Sequence, residues 1–359
     1  MPDHRAQRQA SVLAALPDGA ALLVTHLPNI RWLTGFTGSA ALLLVAADRT
    51  TLVTDFRYAN QAPEEARDAA DVVIDRASVW ERLQRIIRDA AFETLAIESH
   101  VMSVRDAERV SGMFRGKVLP LVDTVETLRQ VKDAGEVEAI RAAGLLASQA
   151  LAAILPTIRA GDRELDIAAR LESALRLRGS EWHPFQTIVA SGPRAALPHA
   201  RSSTRQVQRG ELLLIDYGAQ VGGYCADVTR TVAIGEADER QRAVYQLVRE
   251  AQQRACQGLR GGMTGREGDA LARDLISARG YGDAFGHSLG HGLGLEVHEA
   301  PRLAATAGAE LPVGAVVTVE PGIYLGGWGG VRLEDDVWLG PDGPALLTDG
   351  QTDFTILDA

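Results

Sequence analysis

The sequence predicts an α/β amino-terminal domain followed by a larger α+β domain made of two similar halves. Three observations carry this prediction. The chain has 359 residues, more than one ordinary domain holds, and 46% of them are hydrophobic, enough for two cores. Short apolar runs alternate with a helical pattern through the first third, as layered α/β domains require. Further on, a pair of matching segments recurs about a hundred residues apart.

Residues 20–25 and 40–46 are short apolar runs suited to buried strands, and 51–54 is a third. Between the first two, residues 27–38 hold Pro28, Asn29, Gly35 and Gly38 and read as a turn-rich connection. Residues 79–90 set Val79, Leu83, Ile86 and Ile87 at helical spacing, and 95–98 resembles another strand. A boundary falls near 124–133, giving domains of 1–127 and 128–359.

From Glu136 the pattern turns helical, with Val137, Ile140, Leu145 and Leu146 on an apolar stripe. A second helix spans about 164–178, carries Leu165, Ile167, Leu171 and Leu175, and stops at Gly179. Strand-like runs follow at 186–190, 212–217 and 228–233, then helices near 238–256 and 266–279. Ile158-Arg-Ala-Gly161 precedes a helix ending in Arg178-Gly179, and Leu259-Arg-Gly-Gly262 precedes one ending in Arg279-Gly280. Read as duplication, this implies two halves with a cleft between them; chance similarity in an Arg- and Gly-rich chain is the competing reading.

The net charge of −10 and the lack of a basic cluster argue against nucleic acid or an anionic membrane as partner. Cys225 and Cys256 are too few for a disulfide framework or a cysteine zinc cage, and agree with a reduced, cytoplasmic compartment. The first twenty residues hold no apolar run of signal-peptide length, and no uninterrupted run reaches the ~18 residues of a membrane span.

The chemistry lies in the second domain. Asp216 ends an apolar run, and Asp227 follows in another after a segment containing Gly218, Gly222 and Gly223, which suits a hairpin. A loop at Val221-Gly222 would oppose the two Asp directly, whereas one at Gly222-Gly223 would set Asp216 against Thr229 and make them diagonal neighbours. Facing carboxylates repel unless a cation or proton separates them; the bland alternative is two unrelated surface Asp. Residues 285–298 then hold His287, His291 and His298, three of the chain's eight His, among Gly286, Gly290, Gly292 and Gly294. Glycine at that density lets backbone approach an ion or ligand closely. Glu320 and Glu334 each sit inside or at the end of an otherwise apolar strand, Glu320 just before Pro321-Gly322. Four carboxylates and one imidazole suit two divalent ions such as Mn²⁺, Co²⁺, Fe²⁺ or Zn²⁺ better than a thiolate-type zinc.

These residues resemble the pita-bread metallopeptidases, in the Xaa-Pro peptidase branch that holds prolidase and aminopeptidase P. The resemblance covers nearly the whole chain. Residues 128–141 look like that family's opening to the catalytic domain, and Ser191-Gly-Pro-Arg-Ala-Ala-Leu-Pro-His199 like its first active-site loop. Pro28-Asn-Ile-Arg-Trp-Leu-Thr-Gly-Phe36 and Thr54-Asp-Phe-Arg-Tyr58 resemble the creatinase-like amino-terminal domain of the same branch. The resemblance implies a catalytic domain with internal pseudo-two-fold symmetry. It implies two divalent ions per subunit, with Mn²⁺ favoured over Co²⁺ or Zn²⁺. Asp216 would bind one ion, Asp227 and Glu334 would bridge, and His291 and Glu320 would complete the second.

By the same resemblance His199 and His298 contact the substrate carbonyl, and Glu320 carries a proton to the leaving proline nitrogen. His287 helps line the proline pocket, while Thr229 and Arg332 support the site, Arg332 counting among its substrate-side residues. The implied substrates are proline-containing di- or oligopeptides, and the implied assembly is a homodimer. A dipeptidase must also hold the substrate's free carboxylate, for which Arg is the natural partner. Arg302 stands where prolidases of this kind carry such an Arg, and Arg57 is a second candidate. The reading leans to an Xaa-Pro dipeptidase. Aminopeptidase P is the alternative, and a pita-bread binding protein without catalysis is the alternative of another class.

Overall fold

The computed structural model describes residues 4–349 and 352–358, and the chain divides into two units between Arg129 and Gln130. In the first unit, six strands form one mixed sheet in the order β4-β3-β2-β1-β5-β6. They are β1 (Ala20–Val24), β2 (Ala41–Val45), β3 (Thr50–Asp55), β4 (Asp71–Asp75), β5 (Thr94–Glu98) and β6 (Lys117–Leu121). Helices α1 (Arg5–Ala14), α2 (Leu27–Thr34), α3 (Gln61–Ala66), α4 (Val79–Arg88), α5 (Val104–Met113) and α6 (Thr124–Arg129) complete the unit. Strand alternation divides the apolar side chains between two faces. Leu23, Leu42, Leu44, Val53 and Leu95 form one core with Leu83 and Ile87 of α4 and Val110 of α5.

Residues 27–38, expected as a turn-rich connection, instead open with a helix. Pro28 falls in the first turn of α2, where its missing N–H leaves nothing unpaired. Gly35 takes the left-handed cap (φ 82°) and ends the helix. The buried Ile30, Trp32 and Leu33 supply the driving force that glycine and proline content alone concealed.

In the second unit, α7 (Ala134–Ile154) and α8 (Glu164–Leu177) pack on β7 (Ile188–Ser191), β8 (Leu212–Val221) and β9 (Tyr224–Ile234). Next come α9 (Glu239–Gly258), α10 (Gly265–Ala278), β10 (Gly290–Gly292), β11 (Glu299–Leu303) and β12 (Val316–Val319). The chain ends with β13 (Gly322–Leu325), β14 (Gly329–Arg332), β15 (Asp335–Gly340), β16 (Gly343–Leu346) and β17 (Ile356–Leu357). One sheet runs β17-β9-β8-β7, another β11-β10-β12-β15-β16, and β13 and β14 form a separate hairpin. A second core joins α9 and α10 to β12, β14 and β15 through Val248, Ala251, Ile276, Val317, Val331 and Val337. Reciprocal capping boxes start α7 (Asp133, Glu136), α9 (Asp238, Gln241) and α10 (Thr264, Glu267). Over Ala134–Thr157 the chain is long and apolar enough, by composition, to cross a membrane, although no uninterrupted apolar run had marked it. Its Ala143, Leu146, Ala147, Ala150 and Leu151 lie in the core against the sheet.

The recurring segments are structurally equivalent. Gly161 (φ 93°) and Gly262 (φ 88°) both turn left-handed ahead of the second helix of their half. Each donates its N–H across the turn at 2.8 Å, Gly161 to Val207 O and Gly262 to Leu311 O. Ile158 and Leu259, three residues earlier, are both fully buried. The matching turns and buried residues support the duplication reading of the repeat. Since a Cβ at either glycine meets nothing within 4 Å, alanine there tests backbone strain alone. Gly161→Ala and Gly262→Ala should each cost about 1–2 kcal/mol and act additively, read from urea unfolding midpoints. Unequal costs would show that the two turns do not carry equivalent loads.

Candidate metal centre

The β8–β9 hairpin supplies the first two carboxylates. Gly222 (φ 59°) and Gly223 (φ 82°) form its two-residue turn, which pairs Val221 with Tyr224 and therefore Asp216 with Thr229. Of the two registers open on sequence grounds, this is the one that makes Asp216 and Asp227 diagonal neighbours, with Asp227 opposite Gly218. The two Glu come from a long hairpin with an interruption in its middle. Val319 pairs with Asp335 on one side of the break and Gly322 with Arg332 on the other, a continuous register that sets Glu320 against Glu334. Pro321, which has no N–H to give a ladder, lies in the break beside Glu320. His291 is the middle residue of β10, where a Cβ on Gly290 or Gly292 would strike Thr318 O or Ala300 O at about 2 Å. Only glycine admits neighbouring backbone this close to His291.

The two halves meet at these residues. Thr231 and Arg332 exchange backbone and hydroxyl hydrogen bonds, Glu334 N donates to Thr229 O, and Asp227 N donates to Asp336 Oδ2. Asp227, His291 and Glu334 thereby offer ligand atoms that all lie within 4.8 Å of one another. Glu320 Oε1 is 3.5 Å from His291 Nε2 and accepts a bond from Thr318 Oγ1. Thr229 Oγ1 donates to Glu334 Oε2 at 2.6 Å. Asp216 stands beside the trio, held through Oδ2 by Arg332 Nη2 at 2.6 Å.

Burial governs the electrostatics. It pushes Asp227 and Glu334 well above the usual carboxylate range, and the neighbouring carboxylates push further. Burial also raises Asp216, against the opposing pull of Arg332, and lifts Glu320 to about 7. His291 falls to about 4, again chiefly by burial, which keeps its imidazole neutral as a ligand must be. Among the described residues, Oδ1 of Asp216 and Oδ1 of Asp227 are buried without a hydrogen-bond partner. Clustered carboxylates, two orphaned oxygens and a neutral imidazole fit divalent cations.

The remaining expected site residues divide. His298 is exposed, and its ring stands edge-on to His291 at 4.4 Å. His199 lies on an exposed turn, near enough to Asp216, His287 and His298 to bias their protonation. His287 bonds Tyr324 Oη through Nε2 at 2.8 Å and meets the Phe285 ring edge-on. Arg332 is buried among protein partners: Asp216, Thr229 Oγ1, Tyr324 Oη and Pro198 O. Arg302 is exposed on β11, directly opposite His291 in the register. Arg57, in the first unit, forms a two-point pair with Asp55.

Sequence reasoning passed over Tyr324, Thr318 and Asp336. For two of them alternation was the available signal: Thr318 and Glu320 share a strand face, as do Glu334 and Asp336.

A family model described as metallopeptidase family M24 matches residues 138–341. The chain belongs to this family. A second model, the creatinase/prolidase N-terminal domain, matches residues 18–131. An Xaa-Pro dipeptidase of Pyrococcus furiosus is 38% identical over 319 residues, 87% of this chain and 89% of that one. An Xaa-Pro dipeptidase structure from Bacillus anthracis superposes with a TM-score of 0.95 at 35% identity, covering 98% of this chain and 100% of the other. An X-Pro aminopeptidase structure from Thermotoga maritima gives 0.89 at 39% identity, covering 94% and 97%. The expected pairing of a creatinase-like domain with a pita-bread catalytic domain is therefore present.

The raised carboxylates make a pH prediction for the family fold without ions. Unfolded, Glu320 ionises near 4.5; folded, it holds its proton to about 7, and Asp227 and Glu334 shift the same way. Their contribution to stability is thus complete below pH 4.5 and declines as pH rises through 7. Chelator-treated protein should lose Tm across that window. Saturating Mn²⁺ should restore more of it at pH 7.5 than at pH 5, checked by thermal unfolding.

Proposed function

We propose that this metallopeptidase is an Xaa-Pro dipeptidase, hydrolysing the bond between an amino-terminal residue and a carboxy-terminal proline. Arg302 carries the reading. It pairs directly opposite His291, near enough to bias that ring's protonation, and there its guanidinium would meet the free carboxylate of a dipeptide. The Pyrococcus furiosus and Bacillus anthracis relatives, both named Xaa-Pro dipeptidases, support it. The Thermotoga maritima relative favours the second reading, an aminopeptidase P acting on longer Xaa-Pro peptides. A binding protein without catalysis would not need the buried acids that Asp216, Asp227, Glu320 and Glu334 retain.

Asp216, Asp227, His291, Glu320 and Glu334 would hold two divalent ions. Manganese suits this oxygen-rich set, with cobalt or zinc as alternatives. When bound, such ions activate water near neutral pH and polarise the scissile carbonyl. The chain's own groups do the rest. His298 and His199 present donors where the carbonyl oxygen gains charge. Glu320, held by Thr318, passes a proton to the proline nitrogen, which leaves poorly without one. Arg332 and Thr229 keep Asp216 and Glu334 aimed. We also propose a cytoplasmic homodimer. Two free, buried cysteines support a reducing compartment, and family likeness supports the dimer.

With Mn²⁺ added, kcat/KM on Xaa-Pro should exceed that on matched Xaa-Pro-Yaa peptides. Arg302→Ala should raise KM on the dipeptide roughly 10- to 100-fold, the worth of one charged hydrogen bond, and leave the tripeptide nearly unchanged. Preference for the tripeptide, with no effect of Arg302→Ala, would decide for aminopeptidase P. Glu320→Gln should lower kcat about 10²–10⁴-fold on either substrate.

A further inference from the structure

The buried ion pair Lys132–Glu299 lies outside the five proposed metal ligands. Lys132 precedes α7, and its backbone N–H donates to Gly314 O. Its Nζ reaches Glu299 Oε2 at 3.1 Å, with the Lys side chain 1% and the Glu side chain 8% exposed. The other Glu299 oxygen accepts the Glu296 N–H at 3.0 Å. The carboxylate also lies flat against Gly294, where an added Cβ would meet it at 2.8–3.0 Å. Gly294 is fixed in turn, donating to Glu296 O and accepting from Cys225 N at 2.8 Å.

Glu299 therefore fastens the loop 294–296 to the start of β11. Two exposed side chains project from that fastening: His298, immediately before it, and Arg302, three residues beyond. Both are long or rotatable groups, exposed at the edge strand β11. Their aim depends on the backbone beneath. A buried ion pair is weak evidence for stability, because desolvating both charges offsets most of their attraction. Its directional demand is different: both partners must stay within hydrogen-bond reach, and the strand between them inherits that position.

We infer that Lys132 and Glu299 are positioning residues for substrate, setting His298 and Arg302 against the peptide carbonyl and carboxylate. The inference rests on the dipeptidase reading for the identity of that substrate. Removing the pair leaves the ions' ligands intact and displaces the reading groups.

The test compares Lys132→Met, Glu299→Gln and the double variant Lys132→Met/Glu299→Leu with wild type as Mn²⁺-loaded enzyme. Each should lose roughly 10- to 100-fold in kcat/KM on Xaa-Pro, mostly through KM. Mn²⁺ affinity, titrated calorimetrically into the chelated proteins, should not change. Tm should fall in Lys132→Met, which strands a buried carboxylate, and recover in the double variant, where kcat/KM should stay low. Recovery of kcat/KM together with Tm would reduce the pair to a stabilising contact and overturn the inference. Weakened Mn²⁺ binding would overturn it too, by routing the effect through the ligands. The His298 ring resonances of chelated protein give a readout without substrate, and they should shift in Lys132→Met. Unmoved resonances would refute positioning, whereas wild-type inactivity on all Xaa-Pro peptides would refute only the substrate reading.

Discussion

The mutual repulsion of buried carboxylates is the constraint on which the second unit depends. Buried Asp216, Asp227 and Glu334 converge with half-buried Glu320, and Asp336 adds a fifth acid behind Asp227. Arg332 answers one of them, Asp216. Hydroxyls of Thr229 and Thr318 and the Asp227 N–H reach Glu334, Glu320 and Asp336, and the charge they do not answer is left to protons or cations. An arrangement so unfavourable by itself persists only when the surrounding structure over-determines it, and much of the unit serves that end. Two hairpins fix the acids by register, three threonine hydroxyls steer or brace the strands that carry them, and two separate cores anchor those strands.

The acids meet at a seam between the two halves of the second unit. Each half presents a sheet to the other, and hydrogen bonds between residues 227–231 and 332–336 join them. Asp216 and Asp227 come from one half; His291, Glu320 and Glu334 come from the other. Neither half alone contains the chemistry. The five residues are far apart in sequence and close in space because hydrogen bonds between β9 and residues 332–336 join the two halves along this seam.

Much of this was legible in the sequence. The candidate ligand residues announced themselves because a charged side chain in an apolar strand is improbable without a reason, and structural histidines rarely cluster among glycines as His287, His291 and His298 do. The repeat could be read because left-handed turns admit little besides glycine, which preserves Gly161 and Gly262 in matching places. Helix α2 was hidden, because Pro28 and Gly35 punctuate its two ends and a short helix leaves little periodicity between them. Hairpin register was undecided, since Val221-Gly222 and Gly222-Gly223 are both acceptable turns by composition. Tyr324, Thr318 and Asp336 were missed for another reason. Alternation sets Thr318 and Asp336 on the faces of Glu320 and Glu334, but it does not say which residues of other strands they or Tyr324 meet.

Consider finally the run Glu334-Asp335-Asp336. Successive residues of a strand face opposite ways, so Glu334 and Asp336 turn toward Asp227 while Asp335 turns toward Arg230, Gln252 and Thr348. Three consecutive acids cannot by themselves specify which should face the ions, because a slip of one residue would present a carboxylate there all the same. The choice is made from behind. Arg230 Nη1 donates to Glu334 O while Nη2 donates to Asp335 Oδ1, so a single planar guanidinium grips both backbone and side chain. It acts as a gauge that only one alignment satisfies, and it proofreads the strand from the side remote from the chemistry.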